Sequence, residues 1–296
     1  MTEKIAMVAI IRDELPFLDE WLAYHRRMGI DRFFLYINEP EPAATLEFLE
    51  PHSNYVTPIE WYGRSDKLPG RNRQTKAYTH ALLHHLKDYV WVSYLDVDEF
   101  LIFNRHPGIK EFLSGFGPDT SEISLCWRKF GHSGFFDPPP GLITSSLRRR
   151  QSHPDRQCQP DRECKSISRC SAISLVPSAH FVSLKRGCRV DADGYKWNRE
   201  SPPRIVEKAY VHHYQCRSFT RWLQRADFGP VAEDMIGRPD NAWAYTREGC
   251  LREFVETVAV NFNECQDDTM LKHSEWLGAD IAKIQATRTS TSREKT

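Results

Sequence analysis

The sequence predicts a single Rossmann-like α/β domain with a mostly parallel central sheet and helices on both of its faces. Three observations carry that prediction. Strand-like and helix-like segments alternate through the first 100 residues, as parallel strands require, because each crossover takes a helix. Tyr89 to Leu95 is almost continuously apolar and aromatic, the character of a strand covered on both faces. The chain has 296 residues, of which 40% are hydrophobic, enough for one sizeable core.

The elements follow in order. Lys4 to Ile11 is a short apolar run and reads as the first strand. Leu15 to Met28 is a helix with Leu15, Leu18, Leu22 and His25 on one stripe. Asp13 is placed to cap it, Pro16 suits its first turn and Gly29 ends it. Arg32 to Ile37 is the second strand, Ala43 to Glu50 a short helix and Asn54 to Trp61 the third strand. Gly63 to Gly70 is a polar loop, and Arg71 to Leu86 has Gln74, Tyr78, Ala81 and Leu82 at helical spacing.

Beyond residue 100 the pattern loosens. Strands are expected at Ser121 to Trp127, Ser166 to Val176 and Arg204 to His213, and helices at Ile109 to Leu113, Arg217 to Ala226, Leu251 to Asn261 and Thr269 to Glu275. Gly131 to Gly141 is a loop of Gly, Pro and aromatic residues, long enough to be a binding feature. Residues 1–285 read as one domain and 286–296 as a flexible tail, since TRTSTSREKT offers nothing to bury.

Lys plus Arg and Asp plus Glu each number 40, so the formal charge is zero and a dedicated nucleic-acid binder is disfavoured. The one dense basic run, Arg148-Arg149-Arg150, reads as a solvated loop or as a contact for phosphate or anionic lipid. No apolar stretch approaches the 18 residues of a membrane span, and the run Ile5 to Ile11 is short for a signal-peptide core. A cytoplasmic protein with mostly free thiols is therefore expected, with peripheral contact at the inner membrane face open through the basic loop. Cys158, Cys164, Cys170 and Cys188 invite a zinc reading, but no Cys-x2-Cys pair supports it.

The sharpest local feature is Tyr94-Leu95-Asp96-Val97-Asp98-Glu99-Phe100. A buried strand ends and three acids crowd its carboxyl end, where open α/β sheets bind ligands. If this stretch stays extended, Asp96 and Asp98 face one side and Val97 points into the core. Two hard oxygen donors there suit Mg²⁺ or Mn²⁺ shared with phosphates, and the metal would neutralise a diphosphate leaving group. The other reading is a solvent-facing acidic turn. The second Asp-x-Asp, Asp191 and Asp193 before Gly194, lies in a polar stretch and reads as a turn.

With these residues in view, the chain resembles glycosyltransferase family 92 and the related family-2-like transferases. The matching pieces are Ile10-Ile11-Arg12-Asp13-Glu14, Leu18 to His25, Gly29 to Asn38, Pro69-Gly70 with Gln74 and Ala77 to His80, Trp91, Leu95 to Phe100, Trp127 to Gly134, and His213-Tyr214 with Ser218. Leu68 stands where the family has Trp, Thr79 where Asn is usual, and His212-His213 where there is one histidine. The resemblance implies a GT-A fold, with a nucleotide-sugar-binding half over 1–100 and an acceptor-binding half over 101–285. It implies a divalent metal and inverting transfer of galactose from UDP-galactose to a saccharide or glycolipid. By the same resemblance Asp96 and Asp98 are the metal and diphosphate motif. Arg12 and Glu14 correspond to donor-nucleotide contacts, Asn38 to a uracil or ribose contact, Gln74 and Tyr78 to the donor-facing helix, and His213 to a late metal ligand.

His180 also follows an apolar strand and is a second candidate ligand. Trp127, Phe135 and Phe136 suit stacking on a sugar or packing under a loop, and Arg128 and Lys129 suit phosphate. Asp137 in the glycine-rich loop is the expected general base, with Glu163 and Asp155 as rivals. Two other functions compete with this one. A nucleotidyltransferase should carry a glycine-rich basic loop where Arg12-Asp13-Glu14 stands, and a non-catalytic carbohydrate binder of the same fold predicts no turnover.

Overall fold

A computed structural model describes residues 3–63, 68–70, 72–152, 159, 163–228 and 246–294. The strands are β1 (Ile5–Ile11), β2 (Arg32–Ile37), β3 (Val56–Glu60), β4 (Trp91–Tyr94), β5 (Glu99–Phe103), β6 (Thr120–Lys129), β7 (Arg149–Arg150), β8 (Cys164–Arg169), β9 (Ile173–Leu175), β10 (Ser183–Leu184), β11 (Cys188–Asp191), β12 (Ala209–His213) and β13 (Cys265–Gln266). The first helices are α1 (Leu15–Arg27), α2 (Ala43–Leu49), α3 (Arg73–His84) and α4 (Ile109–Ser114). The main sheet runs β3-β2-β1-β4-β8-β6-β12-β5, with β11 also on β6. β3, β2, β1 and β4 are parallel, whereas β8 is antiparallel to both β4 and β6. The ten residues of β6 take β11 through Thr120–Ser124 and β12 through Trp127–Lys129 along one edge.

β1 shows why the first half folds as it does. All seven of its residues are buried. Ile5, Met7, Ala9 and Ile11 join a cluster with Trp21, Leu22 and Phe33, while Ala6, Val8 and Ile10 join one with Tyr36, Tyr78 and Tyr94. This alternation puts α1 against one face and α3 against the other. Gly29, with φ +105, closes α1 in the conformation that favours glycine. Asp13 does not cap α1: the N-cap is Glu14, without a side-chain cap bond. Asp13 instead sits at φ 55 and accepts from Arg221. α3 carries the true capping box, between Asn72 and Thr75.

Charged residues on α1 are structural. Glu20, buried, accepts from the Ile143 and Thr144 amides at 2.8 and 3.0 Å and so holds the one-turn helix Ile143–Ser146. Asp19 accepts from His52 at 2.8 Å and from Arg288 at 2.9 and 3.0 Å. Arg288 belongs to the helix Ser274–Glu294, which continues through the stretch expected to be a tail. The basic run lies at the surface, with Arg149 exposed, but it is paired within the chain. Arg148 and Arg150 pair with Asp268 and Asp267, each at 2.6 Å, and Arg149 donates to the Asn263 carbonyl at 2.7 Å. Asp191 accepts from the Asp193 and Tyr195 amides, the expected turn. Cys164, Cys170, Cys188, Cys216, Cys250 and Cys265 are thiols, but Cys126 is disulfide-bonded. Cys158 lies outside the described residues. No helix among the described residues is long and apolar enough to cross a membrane.

Glu122 on β6 is fully buried and accepts from Arg189 Nε at 2.9 Å, while its Oε1 has no partner among the described residues. Burial pushes its pKa up to about 7, against the opposing pull of Arg189. A carboxyl raised in this way favours the native state below its ordinary value of 4.5 and loses that contribution as pH climbs to about 7. Glu122→Gln, which does not titrate, is expected to flatten the pH dependence of the melting temperature across that window. Thermal melts at half-unit pH steps check this, and an unchanged slope would assign the titration elsewhere.

Candidate active site

Sheet register builds the site. In β12, His213 pairs with Glu99 of β5 on one side and Lys129 of β6 on the other. The next residue, Tyr214, donates its amide to the Asp98 carbonyl at 2.8 Å. The end of β12 is thereby fixed beside the acidic segment that follows β4. The His213 Nε2 lies 3.5 Å from Asp98 Oδ2. His213 is buried, as is Asp98 Oδ1, and neither that oxygen nor His213 Nδ1 has a partner among the described residues. Burial would raise the Asp98 pKa, but His213, Arg217 and Lys165 together hold it well below the usual carboxylate range.

The acidic segment is a turn rather than an extension of the strand, for the Glu99 amide donates to the Asp96 carbonyl at 3.0 Å. Val97 points into the core as expected. Asp96 and Asp98 consequently meet different partners. Asp96 Oδ1 accepts from Gln74 Nε2 at 2.8 Å and lies 3.5 Å from the Tyr78 hydroxyl. Its Oδ2 accepts from Lys165 Nζ at 2.7 Å, and the same ammonium lies 3.1 Å from Glu99 Oε2. Gln74, Tyr78 and Asp96, each expected near the donor, thus form one hydrogen-bonded group.

At the end of β2, buried Asn38 accepts from Arg73 at 3.1 Å, and Arg73 lies over the Tyr62 ring at 5.0 Å. At the end of β1, Arg12 is half-buried. Glu14 accepts from Arg217 Nη1 at 2.6 Å. Burial raises the Glu14 pKa while Arg217 opposes that rise. The Trp127 ring lies 4.2 Å from His213 and 5.3 Å from His180, whose Nδ1 is 3.0 Å from the Cys164 carbonyl. The edge of the sheet therefore gathers Glu14, Asn38, Gln74, Tyr78, Asp96, Asp98 and His213.

Other expectations fall outside this group. Arg128 is buried on the His212 side, paired with Glu207 at 2.6 Å and lying over Tyr210, so it is a structural cation. His212 faces away from His213, toward Asp267 at 3.7 Å, and burial pushes its pKa down to about 3. Lys129 pairs with Glu163 at 2.8 Å. Asp137 is exposed, in a loop held to the segment after β12 by the Phe219 and Thr220 amides. Phe136 beside it is 64% exposed, with its ring 5.0 Å from Phe219. Asp155 lies outside the described residues.

Lys165, Arg217 and Arg221 escaped the sequence reading. The available signal was position: Arg217 follows His213 by four residues, in the segment that leaves the strand end.

Among the described residues no group of three or more His, Cys, Asp or Glu side chains is arranged to hold a metal. Asp98 Oδ2 and His213 Nε2, 3.5 Å apart, form a two-residue donor pair. That fits a divalent cation which completes its shell with substrate phosphates. Asp96, committed to Lys165 and Gln74, suits hydrogen bonding better than direct ligation.

Comparison with known proteins adds the following. The model of the family "Glycosyltransferase family 92" matches residues 12–248. A glycosyltransferase family 92 protein of Oryza sativa subsp. japonica is 27% identical over 189 residues, covering 62% of this chain and 30% of that protein. One from Arabidopsis thaliana is 26% identical over 196 residues, covering 62% of this chain and 32% of that protein. The chain thus spans about a third of the length of the curated relatives it matches. A 4-diphosphocytidyl-2C-methyl-D-erythritol synthase from Anaerococcus prevotii DSM 20548 aligns over 96% of this chain and 97% of its own, at 9% identity and a TM-score of 0.32, too low to carry an argument.

Proposed function

The chain belongs to glycosyltransferase family 92, and from that premise we propose that it is a metal-dependent GT-A glycosyltransferase using a UDP-sugar donor. Galactose is the sugar we favour, moved with inversion to a saccharide or glycolipid acceptor. The observation that carries the reading is the Asp98–His213 pair, with Oδ2 and Nε2 3.5 Å apart at the carboxyl edge of the sheet.

In this reading Asp98 and His213 would hold Mn²⁺ or Mg²⁺, which when bound supplies Lewis-acid neutralisation of the departing diphosphate. Asn38 and Arg73 take the base, and Arg12 and Glu14 line the turn beneath it. Asp96 accepts from the ribose, its orientation set by Gln74, Tyr78 and Lys165. The exposed Phe136 and the loop around it receive the acceptor, and Asp137 removes the proton from the attacking hydroxyl.

The test is a screen of UDP-sugars for Mn²⁺-dependent release of UDP. One sugar, UDP-galactose first, is expected to be turned over and EDTA to stop it. Absence of release with every UDP-sugar, with and without saccharide acceptors, would favour a binding protein of the same fold.

A further inference from the structure

Arg217 is built at a cost that its one ion pair does not explain. Its backbone lies at φ 54, a region that non-glycine residues rarely adopt. Its side chain is only 3% exposed. The guanidinium packs on the Phe17 ring at 4.0 Å, and its Nη1 donates to Glu14 at 2.6 Å. Both Nε and Nη2 are buried without a partner among the described residues. These two groups form one side of the guanidinium, a pair of parallel N–H bonds matched to two oxygens of a single anion. Leaving both dry is unfavourable unless something else fills them. Glu14 and Phe17 fix the plane of the fork, and the Tyr214 amide ties the same segment to the backbone of Asp98.

We propose that the Nε/Nη2 edge of Arg217 binds the diphosphate of the donor and of the departing nucleotide, with Glu14 as the residue that positions it. The inference deepens the reading above, naming the group that meets the leaving phosphates. Arg221, which grips the Asp13 carbonyl and carboxylate at 2.6 and 2.7 Å, holds the same turn in place. The β1–α1 turn is thus clamped by two arginines from one segment, and only Arg217 keeps a complete fork unspent.

Calorimetric titration of the full chain with inorganic pyrophosphate, UDP and uridine, at constant Mg²⁺, tests this. Arg217→Gln is expected to weaken pyrophosphate and UDP about 10- to 100-fold, the loss of two charge-assisted hydrogen bonds, and to leave uridine unchanged. Arg217→Lys, which keeps the charge without the fork, is expected to fall between the two and serves if Arg217→Gln does not fold. Glu14→Gln keeps an oxygen to accept from Arg217 Nη1 and so preserves its position, but removes a competing negative charge, and is expected to tighten pyrophosphate. Three results would overturn the assignment: equal pyrophosphate binding by wild type and Arg217→Gln, no binding by wild type, or an equal loss in Glu14→Gln, which would make the pair merely structural. Pyrophosphate binding that depends on Arg217, in a chain that binds other nucleoside diphosphates as tightly as UDP, leaves the assignment standing and removes the UDP-donor reading.

Discussion

Asp98→Asn is expected to lower kcat for UDP-sugar turnover at least about 100-fold, the scale on which removal of a single preorganised electrostatic group acts, while the protein still melts cooperatively. The asymmetry follows from what Asp98 touches. Its carbonyl holds the Tyr214 amide, a backbone bond that the substitution keeps. Its side chain meets only His213 at 3.5 Å and leaves Oδ1 unpartnered among the described residues. His213, Arg217 and Lys165 keep that carboxylate ionised where burial alone would have suppressed it, so the charge stands ready for a ligand and its removal costs some stability as well. Asparagine keeps the volume and removes the charge. Asp96→Asn should behave differently: its carboxylate accepts from Gln74 and Lys165, so the substitution weakens both a structural network and donor binding, raising KM as well as lowering stability. Steady-state kinetics beside thermal melts separate the two outcomes. UDP-sugar turnover by Asp98→Asn comparable to wild type would remove the metal assignment.

What could be read from the sequence was whatever depends on near neighbours. β1 was legible because both of its faces are buried, and the segment Arg32–Ile37 matches β2 residue for residue. β5 was missed. Its EFLIF reads as the tail of an acidic motif until β12, more than 100 residues later, pairs with it. The same holds for the site. Asp98 and His213 were visible as chemistry at strand ends, but the roles of Lys165 and Arg217 are set by partners 69 and 203 residues away. Asp13 looked like a helix cap by spacing, yet Arg221 draws it into another conformation. Arg148 to Arg150 read as a solvated loop, and Arg149 is exposed, but their pairing was hidden because the partners, Asn263 to Asp268, come more than 100 residues later. The polar stretch after Thr287 offered no apolar stripe, and Arg288 still docks it through a buried acid on α1.

Lys165→Met is the substitution expected to cost the fold most, about 3–5 kcal/mol at neutral pH, the usual loss when one partner of a buried charge pair is removed. Lys165 is 1% exposed, with its ammonium 2.7 Å from Asp96 and 3.1 Å from Glu99. Glu99 is fully buried, and its Oε1 has no partner among the described residues. Burial already drives the Glu99 pKa well up, Lys165 is the main force pulling it back, and Asp96 and Asp98 push it further up. Methionine fills most of the volume, so the loss isolates the charge. The sign of the pH dependence follows. With its folded pKa above the ordinary 4.5, Glu99 is neutral in both states at low pH and carries no penalty there. The unfolded chain ionises above 4.5 in wild type and variant alike, so the deficit of Lys165→Met should grow with pH only where Glu99 ionises beside Lys165 and the variant's Glu99 stays neutral. Denaturant unfolding at pH 4.5 and pH 7 measures it. The double variant Lys165→Met with Glu99→Gln is expected to regain about 1–3 kcal/mol of the loss, because no buried carboxylate then lacks its cation at that position. A single variant within about 1 kcal/mol of wild type at both pH values would mean that Glu99 is protonated with Lys165 in place. Lys165 would then orient Asp96 for the donor, and its loss would appear in KM rather than in stability.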